Sequence, residues 1–206
     1  DDIAIELAHQ MGRPIRYGGN GIRRGFQERA RHMAAIAPDR LADITVDAEP
    51  GFRKFIRRDP LGSVLVVAPW NYPYLCAVNS VVPALLAGNT IVLKHATQTL
   101  LCAERLSEAF AAAGLPDGVF QHVVATHDDV ATMIGDPRID CGVFTGSVEG
   151  GYSIQRSAGQ RFIGTGLELG GKDPSYVRLD CDLAYTIGEN VDGSFFNSGQ
   201  SCCAIE

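Results

Sequence analysis

The sequence contains no run approaching the ~20 apolar residues that a membrane-spanning helix needs. Its longest apolar runs, 64–68 and 81–87, are interrupted by Pro83 or bounded by turn residues. The opening, DDIAIELAHQMGRP, has neither the basic start nor the apolar core of a secretion signal. A basic surplus is also missing: 18 lysines and arginines stand against 24 acidic residues, a net charge of −6. Such a chain has little with which to neutralise a phosphate backbone, so neither nucleic acid nor a membrane is an expected partner. No CxxC pair occurs, and the six cysteines (Cys76, Cys102, Cys141, Cys181, Cys202, Cys203) are irregularly spaced. The five histidines do not cluster with them at zinc-ligand spacing. No metal and no disulfide framework is therefore expected, and reduced thiols point to a cytoplasmic setting. Internal repeats and low-complexity segments are lacking as well.

What the chain does have in excess is glycine, 23 of 206 residues, against an ordinary share of ~7%. Spread without a period, these glycines imply tight turns and close backbone approaches. From Gly62 onward short apolar runs alternate with helical patterns. GSVLVVA (62–68), TIVLK (90–94), VFQHVVA (119–125) and CGVFTG (141–146) read as strands. Between them lie helices over 74–87, with Pro83 inside, over 99–113, and a short one through 128–134. Continuously apolar strands separated by helices predict a doubly wound α/β fold, its parallel sheet covered on both faces. Ligands of such sheets bind at the strand C-terminal ends. Before Gly62 the pattern differs: a helix over 21–42, then a polar, β-like segment over 43–59 whose RKFIRRDP suits an edge or pairing strand. After Arg161 come glycine-dense turns and a helix over about 182–195.

Five places carry side chains suited to chemistry, and each also suits an ordinary structural role. Trp70 and Asn71 follow the first strand, where an amide can donate to an oxyanion or merely shape a rigid corner. Lys94 closes the next strand, as a ribose or phosphate contact or a solvated charge. FTGSVEGG (144–151) opens a helix without matching the dinucleotide fingerprint; Ser147 and nearby amides could still bind a pyrophosphate. Glu168, followed by Gly170-Gly171, could sit on a bent, tightly packed segment, or on the surface beside Lys172. Cys202 and Cys203 follow Gly199-Gln200-Ser201, and in extended backbone only one of the two can face a given crevice. Buried, inert thiols are the ordinary alternative.

In this order the motifs resemble one family, the aldehyde dehydrogenases. The matching stretches are MGRP (11–14), PWNYP (69–73), PALLAGNTIVLK (83–94), AGLPDGVFQHVV (113–124), FTGS (144–147), LELGGKDP (167–174) and FFNSGQSCC (195–203). They span nearly the whole chain. The resemblance implies a Rossmann-like sheet of the aldehyde dehydrogenase type: an NAD(P)-binding domain over 1–167, with 42–60 as a bridging strand segment. The start of an α/β catalytic domain is implied over 168–206. It implies Cys202 as nucleophile, Glu168 as general base and Asn71 as oxyanion donor. Cofactor contacts are implied at Trp70, Lys94, Thr97, Gly146, Ser147, Gly151, Leu169 and Gly170. The implied reaction takes an aldehyde to a carboxylic acid with NAD or NADP, through a thiohemiacetal and then a thioester on the cysteine.

Two departures bear on the cofactor. Relatives often carry a glutamate where this chain has Thr97, and its loss removes a repulsion toward a 2′-phosphate, so NADP should be tolerated. A lysine common after the PWN helix is replaced by Ser80. Relatives also continue well past the cysteine, so this chain reads as a partial enzyme, inactive alone, with apolar surface exposed toward its C-terminal end. The resemblance further implies a dimer or tetramer for the complete protein. Competing expectations are a non-catalytic nucleotide-binding or structural remnant, and an enzyme of the same fold that makes acyl-coenzyme A. Retention of Cys202, Glu168 and Asn71 together disfavours the first; the water-activating Glu168 disfavours the second.

Overall fold

The computed structural model describes residues 2–17, 19–47 and 49–205. Its framework is a five-stranded parallel sheet built from β3 (Ser63–Ala68), β4 (Thr90–His95), β5 (Phe120–Val123), β6 (Cys141–Gly146) and β7 (Gly164–Leu169), in the order β5-β4-β3-β6-β7. The central strand explains the arrangement. In β3 the side chains of Val64, Val66 and Ala68 join one apolar cluster, and those of Leu65 and Val67 join another. Successive residues of a strand point to opposite faces, so a continuously apolar strand needs cover on both.

That cover is helical. The first cluster packs against α1 (Asp2–Met11), α2 (Gly19–Leu41), α3 (Pro73–Leu86) and α4 (Leu100–Ala112), through Leu7, Ile22, Ala77, Val81 and Leu106. The second packs against α5 (His127–Gly135) and α6 (Val148–Gly159), through Val130, Ile134, Ile154 and Ala158. Burying each aliphatic side chain contributes about 1.5–3 kcal/mol. Local chemistry sets the helix ends. Pro73 opens α3 at a position where its missing N–H costs nothing. Thr126 and Asp129 form a reciprocal capping box on α5.

The segment 43–59 forms two short, exposed strands, β1 (Ile44–Thr45) and β2 (Phe55–Ile56), paired antiparallel with each other. RKFIRRDP thus contains an exposed pairing strand; Ala48, between the two strands, lies outside the described residues. Two other expectations need correction. The first ten described residues form α1, a helix that the sequence reading did not anticipate. Glu168 lies inside β7, opposite Thr145, and not on a bend after a strand. Beyond β7 the chain leaves the sheet for 170–182 and enters α7 (Leu183–Phe195), capped by Asp182 and with no buried residue. A parallel bridge from Asp173 to Ile205 ties the two ends of this last section together. Among the described residues no helix is long and apolar enough to cross a membrane.

Candidate active site

The order of the strands reverses at β3, whose neighbours are β4 on one side and β6 on the other. At such a switch point the loops leaving the strand ends diverge and open a crevice. Here the crevice has a volume of about 1430 Å³. Its walls come from the loop after β3 (Trp70, Asn71), the end of β4 (Lys94, Thr97), the end of β6 (Gly146, Ser147), the end of β7 (Glu168, Leu169, Gly170) and the loop after α7 (Cys202, Cys203). Of the residues singled out from the sequence, only Gly151 is missing from these walls. It is buried, and a Cβ there would press into Leu169.

One half of the crevice is suited to an anionic, hydroxyl-rich ligand. Ser147 caps α6 by accepting from the Gly150 amide at 3.1 Å, so the positive end of this helix opens on the crevice. Gly146 and Gly150 flank the ring of Phe144, and a Cβ on either would collide with it. Lys94 is 4% exposed, and burial lowers its pKa. It has no hydrogen-bond or ion-pair partner in the protein among the described residues. A mostly buried lysine whose ammonium meets a crevice without a protein acceptor fits a ligand that supplies hydroxyl or phosphate oxygens. Thr97 stands beside it on the same wall, as does Ser80.

The other half holds candidate reacting groups. The Asn71 carboxamide oxygen accepts from the Tyr72 amide at 3.0 Å, which leaves its NH2 group as a donor on the crevice wall. Glu168 is exposed there, and not tightly packed. Cys202 and Cys203 form a turn, so both line the crevice; the expectation that only one could do so assumed extended backbone. Burial raises the Cys202 pKa, and neighbouring Cys203 adds to the shift. Other thiols are less available. Burial pushes Cys76 up to about 11 and Cys102 up to about 12, and Cys102 is fully buried in α4. Cys76, half-buried on the first turns of α3, shares the wall with Cys202 and was not singled out from the sequence. Its place five residues after Asn71, at the start of a helix that begins at the site, was the available signal.

Sequence reading also missed Asn197 and Arg13, which are both buried. Asn197 donates through Nδ2 to the carbonyls of Asn71 and Gln200, each at 3.2 Å, and accepts from Arg13 Nη1 at 2.8 Å. Among the described residues there is no cluster of side chains suited to holding a metal ion.

A model of the aldehyde dehydrogenase family matches residues 1–206. The chain belongs to the aldehyde dehydrogenase family. Within that family, the NADP(+) succinate-semialdehyde dehydrogenase 1 of Mycobacterium tuberculosis is 38% identical over 184 residues, 89% of this chain and 40% of that protein. An aldehyde dehydrogenase of Paenarthrobacter nicotinovorans is 35% identical over 213 residues, covering 100% of this chain and 45% of that protein. Among solved structures, the succinic semialdehyde dehydrogenase of Streptococcus pyogenes in complex with NADP+ superposes with a TM-score of 0.90 at 28% identity. That match covers 99% of this chain and 44% of the other. The chain thus spans less than half the length of the family members it matches.

Proposed function

We propose that this chain supplies the cofactor-binding domain, over 1–167, and the start of the catalytic domain, over 168–206, of an enzyme that oxidises an aldehyde to a carboxylic acid with NAD+ or NADP+. The observation that carries this reading is that Asn71, Glu168 and Cys202, from three separate segments, all line one crevice.

Lys94, Thr97, Trp70, Ser147 and the first turn of α6 would hold the dinucleotide, together with Leu169 and Gly170 at the end of β7. Bound there, the nicotinamide would accept the hydride that leaves the substrate carbon. The Cys202 sulfur, once deprotonated, attacks the aldehyde carbon. Asn71 Nδ2 and the Cys202 backbone N–H stabilise the oxyanion that forms, a contribution of several kcal/mol when such donors are fixed in advance. Attack makes the carbon tetrahedral and so able to release hydride, leaving a thioester on Cys202. Glu168 then takes a proton from the water that cleaves the thioester. The names of the relatives support a semialdehyde as substrate, and Thr97 supports use of NADP+ alongside NAD+. Phe52, Phe55 and Ile56, exposed around the β1–β2 pair, support assembly of the complete protein into dimers or tetramers.

The test is Cys202→Ser in the full-length protein. Turnover of succinic semialdehyde should fall at least ~10³-fold, while the Kd values of NAD+ and NADP+ stay within twofold of the unaltered enzyme. The two cofactors should bind within about tenfold of each other. Retained turnover would overturn the nucleophile, and exclusion of NADP+ would overturn the role of Thr97.

A further inference from the structure

Asn197 occupies the centre of a three-way junction. Its backbone is left-handed (φ 55°, ψ 35°), as is that of the next two residues, Ser198 at φ 60° and Gly199 at φ 74°. Asparagine tolerates this region better than most residues; serine does not. Asn197 and Ser198, two non-glycine residues in succession in this region, need outside support. The Asn197 carboxamide supplies it from complete burial, using both of its N–H groups and its oxygen. The three bonds also fix its orientation, because an exchanged amide would face two carbonyls with its oxygen and a guanidinium with its nitrogen.

Arg13 is the unusual partner. Its guanidinium is desolvated, which lowers its pKa, and among the described residues no carboxylate pairs with it. Its Nε is buried with no acceptor. What holds it is the Tyr72 ring, 5.3 Å from the guanidinium carbon, and the bond to Asn197. A buried cation with an unsatisfied donor is a poor choice for stability alone. Next to it, Tyr17 packs on Phe196 with ring centroids 5.0 Å apart. The segment 13–17 thus forms a seat for 196–197.

We propose that Asn197, held by Arg13, is a positioning residue that fixes the oxyanion donor and the nucleophile relative to each other. One of its N–H groups pins the carbonyl of Asn71, whose side-chain amide faces the crevice. The other pins the carbonyl of Gln200, two residues before Cys202. Asn197 touches neither substrate nor cofactor; it acts through the spacing between a loop at 71 and a turn at 202. This proposal rests on the roles given above to Asn71 and Cys202.

The experiment uses the full-length protein with Asn197→Asp, which keeps the shape and the Arg13 contact but turns both donated hydrogen bonds into oxygen–oxygen repulsions. Expected is a loss of about 10²-fold in the first-turnover burst of NAD(P)H, with NAD(P)+ Kd values within twofold. Added to Asn71→Ala, the same substitution should cost less than threefold more. Arg13→Lys, whose ammonium can still donate, should keep most of the rate that Arg13→Met, which has no donor, loses. Iodoacetamide labelling at Cys202, read by mass, should slow in the same order as the burst. Additive losses in the double variant, cofactor affinity falling in step with rate, or no loss at all would each overturn the proposal. If Asn197→Asp does not fold, the comparison of Arg13→Lys with Arg13→Met decides the question. If the unaltered protein makes no NAD(P)H from any aldehyde, the functional reading fails, and the labelling series still judges the junction.

Discussion

At the scale of single residues, the proposed chemistry turns on the state of the Cys202 thiol. Its pKa is raised, first by burial and then by the adjacent Cys203, and the thiolate rather than the thiol is the nucleophile. A raised value means that the reactive form gains as pH climbs and is lost as pH falls through a midpoint above the ordinary ~8.5 of a cysteine. The burst rate of NAD(P)H formation should therefore still be rising at pH 9, and Cys203→Ala should move the midpoint down. A profile flat between pH 7 and 9 would refute this. The crevice residues proposed for such chemistry were legible in the sequence because they stand at strand ends or in short motifs: Asn71, Lys94, Glu168 and Cys202. Arg13 and Asn197 also stand in matching stretches, but their contact was not legible, since 184 residues separate them and no local pattern links an amide to a cation that far away.

At the scale of elements, the two ends of the sheet do different work. The crevice occupies the C-terminal edge; the N-terminal edge is stapled. Asp140, just before β6, accepts from the Ser63 amide at 2.8 Å and gives its own N–H to the Ser63 carbonyl at 2.9 Å. Gly62 precedes this contact with φ +121°, and a Cβ there would collide with the Asp140 carboxylate. Gly62→Ala should destabilise the protein by about 2–4 kcal/mol, from backbone strain and a lost hydrogen bond. Cofactor Kd should hardly change, because the substitution lies at the far edge. Denaturant melts and cofactor titration check both halves. Strands β3 and β4 were legible because burial on both faces gives an unbroken apolar run. Strand β7 was harder to read: GTGLEL carries two glycines, and its outer residues are largely exposed, so neither alternation nor an apolar run marks it. In the ribbon at 44–56 the pairing strand at Phe55–Ile56 was legible, but not its partner, which is local and only two residues long.

At the scale of the whole molecule, the sheet's own core is covered, but the last section is not. Leu183, Ile187, Val191 and Phe195 recur every four residues along α7, each more than half exposed, and Tyr176 and Leu179 stand bare beside them. A stripe at that spacing is a face made to be packed. The 206-residue chain alone should bind a hydrophobic dye and form no NAD(P)H from an aldehyde, whereas the full-length protein should not bind the dye and should form NAD(P)H. A cooperative melt with turnover from the short chain would contradict this. The contact between Arg13 and Asn197 has a consequence in time. During synthesis at ~5–20 residues per second, roughly 10–40 s separate the emergence of these two side chains from the ribosome. Throughout that interval the guanidinium waits without its amide, while strands β3 to β7 become available to pair. Among the crevice walls described above, the turn at Cys202 is thus the last to be seated on the nascent chain, after the strand ends that face it have emerged.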